Sequence, residues 1–278
     1  MNRKDYAIGL AAAIVLAPTV LADSRVERVF TETFEVGSNP ELTIKNIWGN
    51  ITVLRGKPGR ISVEVSEDRS AADREAFDLS LEMIPLRIEQ QGDAVSLIVG
   101  RRRENQDQHW HCDECRAQYQ FVATVPANTT LNLKAINDGD VTVSDIDGVV
   151  SARNVNGSVF VEGLRDCDSL KSVNGEINAS LNASLPSDCN VETVNGDITF
   201  GVSPKSDFRL ALTQMNGRVY SEIDVDELDV EPAIETKKRG GRLHYKIRQP
   251  AGLRVGNGNG ATFHVESLNG DVSIVEVE

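Results

Sequence analysis

The most reactive side chains of the sequence are concentrated in the segment His109-Trp110-His111-Cys112-Asp113-Glu114-Cys115. It holds two of the four histidines and two of the four cysteines. Imidazole and thiolate are preferred ligands of zinc and copper, so His109, His111, Cys112 and Cys115 form a candidate site for either metal. In an oxidising compartment the same Cys-x-x-Cys pair closes a disulfide or acts in redox exchange, and these alternatives stay open. Covalent haem attachment is excluded, because Arg116 stands where a histidine is required.

Other constellations are weaker. Asp140, Asp197 and Asp271 each follow a glycine, but the Gly-Gly-x-Gly-x-Asp pattern of calcium-binding repeats is absent. Gly-x-Ser-x-Gly, His-Glu-x-x-His and Walker sequences are absent too. We therefore expect no enzyme and no obligatory cofactor, with a polysaccharide-active enzyme that uses paired carboxylates as the distant alternative.

A short repeat organises the chain that carries these residues. An apolar residue, Asn, Gly and any residue are followed by apolar residues at alternate positions. The clear copies are Val155–Val161, Val173–Ala179, Val194–Phe200, Met215–Ser221 and Leu268–Ile274, with looser copies at Asp138–Val143, Gly240–Tyr245 and Ile47–Val53. Alternation with period two predicts strands that bury one face.

The spacing of the copies predicts how the strands stack. The motif glycines stand at 139, 157, 175, 196, 217, 241 and 270, about 18–29 residues apart. We predict an all-β fold, a β-solenoid in which each rung has two strands joined by the Asn-Gly turn. The alternative is a meander of hairpins, because Asn-Gly also marks hairpin turns. The glycine supplies positive φ, and Asn tolerates the neighbouring position.

Cys167 and Cys189 are 22 residues apart, close to one rung. Neighbouring strands lie about 4.8 Å apart, which suits a disulfide that links two rungs. In the alternative, Cys189 is a core residue and Cys167 is a free thiol at a turn. The segments 201–207, 224–233 and 248–260 lengthen later rungs and are expected to project from one edge.

The chain divides into three parts in this interpretation. Residues 1–22 are typical of a signal peptide: Arg3 and Lys4 precede an apolar stretch, and Ala22 ends a cleavage site of small residues. An uncleaved anchor is the alternative. Residues 23–125 form a β-rich N-terminal region, with Ser66–Glu75 as a loop or short helix and Phe77–Ile88 as a strand. Residues 126–278 form the solenoid.

Charge limits the partners. The formal net charge is −13, and cleavage after residue 22 makes it −14 because Arg3, Lys4 and Asp5 are lost. Such a chain repels phosphates, so nucleic acid is not expected as a partner. After cleavage no stretch is long and apolar enough to cross a membrane as a helix.

The repeat, preceded by Val125-Pro126-Ala127-Asn128-Thr129-Thr130-Leu131, resembles the DUF4097-type adhesin family of bacterial exported β-strand-repeat proteins. The likeness is clearest over residues 120–275 and implies fold and export. The sequence thus predicts a non-catalytic envelope protein, in the periplasm or at the cell surface. It would present a solenoid surface to an envelope protein or a surface glycan. The alternative function is a periplasmic metal-binding or redox-responsive module that uses residues 109–115.

Overall fold

The computed structural model describes residues 14–15, 19–22, 24–100, 115–181, 185–203, 206–228, 233–239, 242–248 and 251–277. Side chains are described in these ranges except in 14–22 and 233–248. The strands and the helix are β1 (Ile14–Val15), β2 (Thr19–Ala22), β3 (Arg25–Glu35), β4 (Glu41–Lys45), β5 (Ile51–Arg55), β6 (Arg60–Ser70), α1 (Arg74–Met83), β7 (Leu86–Gln91), β8 (Ala94–Val99), β9 (Arg116–Val125), β10 (Thr130–Lys134), β11 (Val141–Ser144), β12 (Val150–Asn156), β13 (Val159–Leu164), β14 (Cys167–Asn174), β15 (Ile177–Leu181), β16 (Cys189–Asn195), β17 (Ile198–Val202), β18 (Phe208–Asn216), β19 (Val219–Ser221), β20 (Asp226–Leu228), β21 (Ala233–Arg239), β22 (Arg242–Arg248), β23 (Ala251–Val255), β24 (Thr262–Asn269) and β25 (Val272–Glu276).

The strands form two large mixed sheets, which confirms the all-β prediction. The first sheet has the order β1-β3-β6-β9-β5-β11-β13-β15-β17-β25-β19, with β2 beside β3. The second sheet has the order β20-β23-β18-β24-β16-β14-β12-β10-β4-β8-β7. The strands β21 and β22 pair only with each other. No helix in the ranges given above is long and apolar enough to span a bilayer.

In each of the five clear copies the Asn-Gly turn joins a strand of the second sheet to a strand of the first, so these turns are not hairpin turns. We call such a strand–turn–strand unit a repeat. Repeats pair in parallel and in register: Val159 lies beside Ile177, and Ile177 lies beside Ile198. Most inward positions are buried aliphatic or aromatic side chains, so the two sheets enclose one continuous hydrophobic core.

The order of repeats in space differs from their order in the chain at both ends. The last repeat, β24 and β25, lies between β16–β17 and β18–β19. At the other end, β4 and β5 lie between β8–β9 and β10–β11. The stacking thus departs from chain order at both ends, because strand pairing depends on side-chain fit and not on sequence distance.

Close approach of the backbone explains the motif glycines. A Cβ on Gly175 would lie 2.3 Å from the carbonyl oxygen of Gly157, and one on Gly196 would lie 2.1 Å from that of Gly175. The glycines of the five clear copies have φ of +150° to +159°. Stacked glycines thus let one turn rest directly on the next.

The motif asparagines form a ladder of side-chain amides. Each Nδ2 donates to the Oδ1 of the preceding member at 2.8–2.9 Å. The members in spatial order are Asn137, Asn156, Asn174, Asn195, Asn269 and Asn216. From the sequence, asparagine was expected only to tolerate the turn geometry. In the structure it also forms hydrogen bonds between repeats.

The long segments between repeats supply additional strands. Arg248–Gly260 contains β23, which pairs antiparallel with β18, and Asp224–Ala233 contains β20, which pairs antiparallel with β23. These segments extend the second sheet, so the expectation of projecting loops is wrong there. The copy at Gly240–Tyr245 is also no stacked repeat, because its residues from Arg242 onward belong to β22, which pairs antiparallel with β21.

The helix α1 corrects another expectation. Phe77 lies in a helix where a strand was predicted, and Ser66–Ser70 continues the strand β6 where a loop or helix was predicted. Asp73 caps the helix, with its Oδ1 accepting from the Ala76 amide at 2.8 Å. Phe77 and Ser80 are its buried residues, one turn apart, which is a helical spacing.

A buried polar cluster fastens α1 to the first sheet. The Arg69 guanidinium donates to Glu67 Oε1 at 2.8 Å, to Tyr119 Oη at 2.6 Å and to the carbonyls of Ser80 and Ile84 at 2.6 and 2.7 Å. These carbonyls belong to the end of the helix, where a cation is favourable. Burial alone raises the pKa of Glu67, but Arg69, Arg28 and Tyr119 outweigh it and lower that pKa. Burial, reinforced by Glu67, raises the pKa of Tyr119.

Candidate binding face

The outer face of the second sheet carries ordered columns of side chains. Strand β12 shows the pattern: Arg153 is exposed and Val155 is half-buried, whereas Asn154 between them is buried. Because neighbouring repeats are in register, equivalent residues stack across the sheet at about 4.8 Å. The face is thus a set of columns that run perpendicular to the strands.

One column is cationic over four neighbouring strands. Lys45 pairs with Lys134, Lys134 with Arg153, and Arg153 with Lys171. We call these four residues the cation ladder. The same column continues through Glu192 and Glu266.

Ion pairing is uneven along this column. Lys171 Nζ lies 2.7 Å from Glu192 Oε1. Within the part of the chain that the structure describes, Lys45, Lys134 and Arg153 form no ion pair. Among the described residues, these three stacked cations therefore have no acidic group within ion-pair distance.

An aliphatic column lies on β14, β16, β24 and β18, of which only β14 also carries a residue of the cation ladder, and on β14 it is two residues beyond Lys171. It consists of Val173, Val194, Leu268 and Met215, and Met215 is 63% exposed. A groove of about 860 Å³ runs across five repeats and is lined by this column, by Arg153 and Lys171, and by Glu192 and Glu266. Its volume is that of a ligand-binding cleft.

Between these two columns, buried or half-buried polar side chains form hydrogen bonds that link neighbouring repeats. Three residues before each motif glycine, a side chain donates to a glycine carbonyl: Asn154 to Gly139 at 2.8 Å, Ser172 to Gly157 at 3.0 Å, and Gln214 to Gly270 at 2.6 Å. The sequence interpretation missed these residues. Their signal is a polar side chain at an inward position of an otherwise apolar alternation.

The segment at 109–115 is only partly described. His109, His111 and Cys112 lie outside the described residues. Cys115 is disulfide-bonded, and its Sγ lies 3.2 Å from the carbonyl oxygen of Ala76 in α1. A disulfide sulfur has no proton to donate and no thiolate to offer a metal, so Cys115 is not a metal ligand in this oxidation state. Metal binding at this segment stays a prediction.

Cys167 and Cys189 form a disulfide between neighbouring repeats, as predicted, with their Cα atoms 5.2 Å apart. Asp168 is an extra residue in β14, because Val150 pairs with Cys167 and Ser151 pairs with Ser169. This bulge turns Cys167 inward, so both cysteines are buried. Cys167 precedes its motif glycine Gly175 by eight residues and Cys189 precedes Gly196 by seven, and the bulge accommodates this difference of one residue.

The aspartates that follow motif glycines accept hydrogen bonds from backbone amides of the neighbouring repeat. Asp140 Oδ1 accepts from the Ser158 amide at 2.7 Å, and Asp197 Oδ1 accepts from the Asp271 amide at 2.8 Å. Among the residues with described side chains, no group of three or more His, Cys, Asp or Glu could hold a metal ion.

Comparison with known proteins gives distant structural similarity. No family model and no curated protein matches the chain. Among solved structures, one named "putative cell adhesion protein" from Clostridium sporogenes ATCC 15579 has a TM-score of 0.47 and 9% identity, covering 90% of this chain and 100% of its own. One named "putative adhesin" from Bacteroides fragilis NCTC 9343 has a TM-score of 0.34 and 9% identity, covering 89% and 97%. A TM-score below 0.5 does not carry fold or function over, and the DUF4097 name stays a prediction.

Proposed function

We propose that this protein is an exported, non-catalytic envelope protein of the DUF4097 type, whose stacked repeats form a β-solenoid. Its function is adhesion or protein interaction, and the outer face of the second sheet binds an envelope protein or a surface glycan. The observation that carries this proposal is the groove across five repeats, bordered on one side by charges and on the other by the aliphatic column. Exposed aliphatic side chains beside ordered charges are typical of a binding surface.

One feature supports export, and a second is compatible with it. The Cys167–Cys189 disulfide is formed in the core, and such bonds persist in oxidising compartments such as the periplasm and the cell surface. Removal of residues 1–22 as a signal peptide would remove β1 and β2, which lie beside β3 at one end of the first sheet. The β3–β6 pairing of eleven residues would remain.

The test is binding of the purified mature protein to isolated bacterial envelopes and intact cells, measured by sedimentation over a concentration series. The variant Val194→Asp/Leu268→Asp places two charges in the groove at residues that are 37% and 36% exposed. The matched control is Leu54→Asp/Leu81→Asp, which changes two leucines exposed elsewhere, in β5 and α1.

We expect saturable binding that weakens by about tenfold or more in the groove variant, because a charge at an apolar contact must be desolvated. The control should bind like the wild type. Absence of saturable binding, or equal loss in both variants, would refute the proposal. Circular dichroism of each variant establishes that the fold is retained.

A further inference from the structure

The cation ladder is unfavourable for folding by itself. Like charges on neighbouring strands repel each other, and three of these four cations have no acidic partner in the described part of the chain. The chain has a net charge of −13, so acidic residues to pair with them are plentiful. Three such cations in one register, next to Lys171, therefore indicate a ligand that supplies the missing negative charge.

We propose that the cation ladder binds a linear acidic polysaccharide, whose carboxylate or sulfate groups lie along Lys45, Lys134, Arg153 and Lys171. This inference rests on the proposed function and names the class of its ligand. The ladder is about 14 Å long, from three strand spacings of about 4.8 Å. A charged group on successive sugar units can thus meet successive cations.

The groove explains why a sugar polymer fits better than a free anion. Arg153 and Lys171 line the groove together with Val173 of the aliphatic column. Sugar rings have C–H faces beside their polar groups, so one ring can lie against the aliphatic column while its acid meets the ladder. The groove begins at Arg153 and Lys171, whereas Lys45 and Lys134 lie outside its lining, so it continues the line of the ladder in the direction of an extended chain.

The same column argues against a membrane surface. Glu192 and Glu266 continue the ladder on the same face, and a flat anionic bilayer would bring its headgroups against both carboxylates. A narrow polymer can follow the four cations and leave the surface of the sheet before it reaches Glu266. The aliphatic column also contains no aromatic residue of the kind that anchors proteins at bilayers.

The experiment measures binding of the full mature chain to immobilised polysaccharides at about 0.15 M salt, where the screening length is about 8 Å. Dextran sulfate and alginate are the acidic probes, and unmodified dextran is the neutral one. The ladder variant is Lys134→Glu/Arg153→Glu. Its matched control, Lys57→Glu/Arg74→Glu, makes the same change in net charge at exposed cations outside the face.

We expect the wild type and the control to bind at least one acidic probe and not dextran. The ladder variant should bind at least about tenfold more weakly, and binding should fall as salt rises. Equal affinity of the ladder variant and the control would overturn the inference. So would wild-type binding to phosphatidylglycerol vesicles or duplex DNA that matches the acidic probes, or a wild-type dimer that the ladder variant dissociates.

Failure of this inference is distinguishable from failure of the proposed function. If no acidic probe binds, while Val194→Asp/Leu268→Asp still abolishes binding to envelopes, the ligand class is wrong and the binding face stands. If neither assay shows binding, both are wrong.

Discussion

The Nδ2 of Asn174 donates a hydrogen bond to the Oδ1 of Asn156 over 2.8 Å, although the residues are 18 positions apart in the chain. Asn174 Oδ1 in turn accepts from Asn195 Nδ2 at 2.9 Å. One side chain thus bonds to the repeats on both sides of it. The contacts that hold neighbouring turns together are long-range in sequence and uniform in geometry.

Asn174→Ala breaks two bonds of this ladder. We expect it to lower the free energy of unfolding by about 1 kcal/mol, because the amides are exposed and water replaces part of each bond. Urea denaturation measures the change. The control Asn178→Ala, on the outer face of β15, should cost less than about 0.5 kcal/mol, and an equal cost would contradict a stabilising ladder.

Gly175→Ala tests the close approach of successive turns. The new Cβ would lie 2.3 Å from the Gly157 carbonyl oxygen, so the repeats must separate, at a cost of about 3 kcal/mol in unfolding free energy. Gly92→Ala is the control: it has φ of +62° but no atom within 4 Å of the new Cβ, and should cost about 1 kcal/mol. Similar losses of stability in the two variants, measured by thermal denaturation, would show that the positive φ and not the close contact determines the cost of the substitution.

Removal of the disulfide with Cys167→Ala/Cys189→Ala should lower the free energy of unfolding by about 3 kcal/mol, as expected for a loop of this size. Urea denaturation under oxidising conditions is the measurement. Cys189→Ala alone should lose a similar amount, because either change removes the cross-link. A single variant as stable as the wild type would show that the bridge does not stabilise the fold.

Stability should fall in acid because of Glu67. Its pKa is lowered in the folded state, so its contribution is present above its unfolded pKa and is lost as pH falls through the folded pKa. Glu67→Gln should lower the free energy of unfolding by about 3 kcal/mol at pH 7, because Arg69 loses its carboxylate partner. Below about pH 4 this variant should lose less further stability than the wild type does. Urea denaturation between about pH 3 and 7 measures both effects. Glu64→Gln, an exposed neighbour on β6, should change neither.

Mass spectrometry can determine the oxidation state of the cysteines and the metal content of residues 109–115. Because Cys115 is disulfide-bonded, iodoacetamide should label it only after reduction, and the oxidised protein should carry no stoichiometric zinc or copper. Native and denaturing intact masses, compared after metal supplementation, check this. Bound metal, together with alkylation of Cys112 and Cys115 without reductant, would instead support the metal-binding alternative.

Several features followed from local pattern alone. Alternation of apolar residues predicted strands around the Asn-Gly turns, as in β13, β15 and β17. The 22-residue spacing predicted the disulfide of Cys167 and Cys189, because strands one spacing apart bring two Cα atoms within reach. These inferences depend on short stretches of backbone with one buried face.

Other features needed the folded chain. No local pattern around Phe77 shows that Arg69, held by Tyr119, is placed to donate to the Ser80 carbonyl near the end of a helix. The spacing of apolar residues around Phe77 is compatible with a strand, and the packing against Arg69 is what favours the helix α1. Likewise Glu67 and Arg69 occupy inward positions of β6 because each satisfies the other.

The sequence by itself determined the strands on either side of the Asn-Gly turns, the turns and the spacing of the repeats, because these depend on alternation and on glycine within a few residues. Only the tertiary structure decided which repeats are neighbours: β24 and β25 insert before β18 and β19, and β4 and β5 insert after β8 and β9. That choice also created the column in which Lys45 meets Lys134 and Glu192 meets Glu266. Pairing across 74 or 89 positions depends on the fit of whole sheets, which no local pattern encodes.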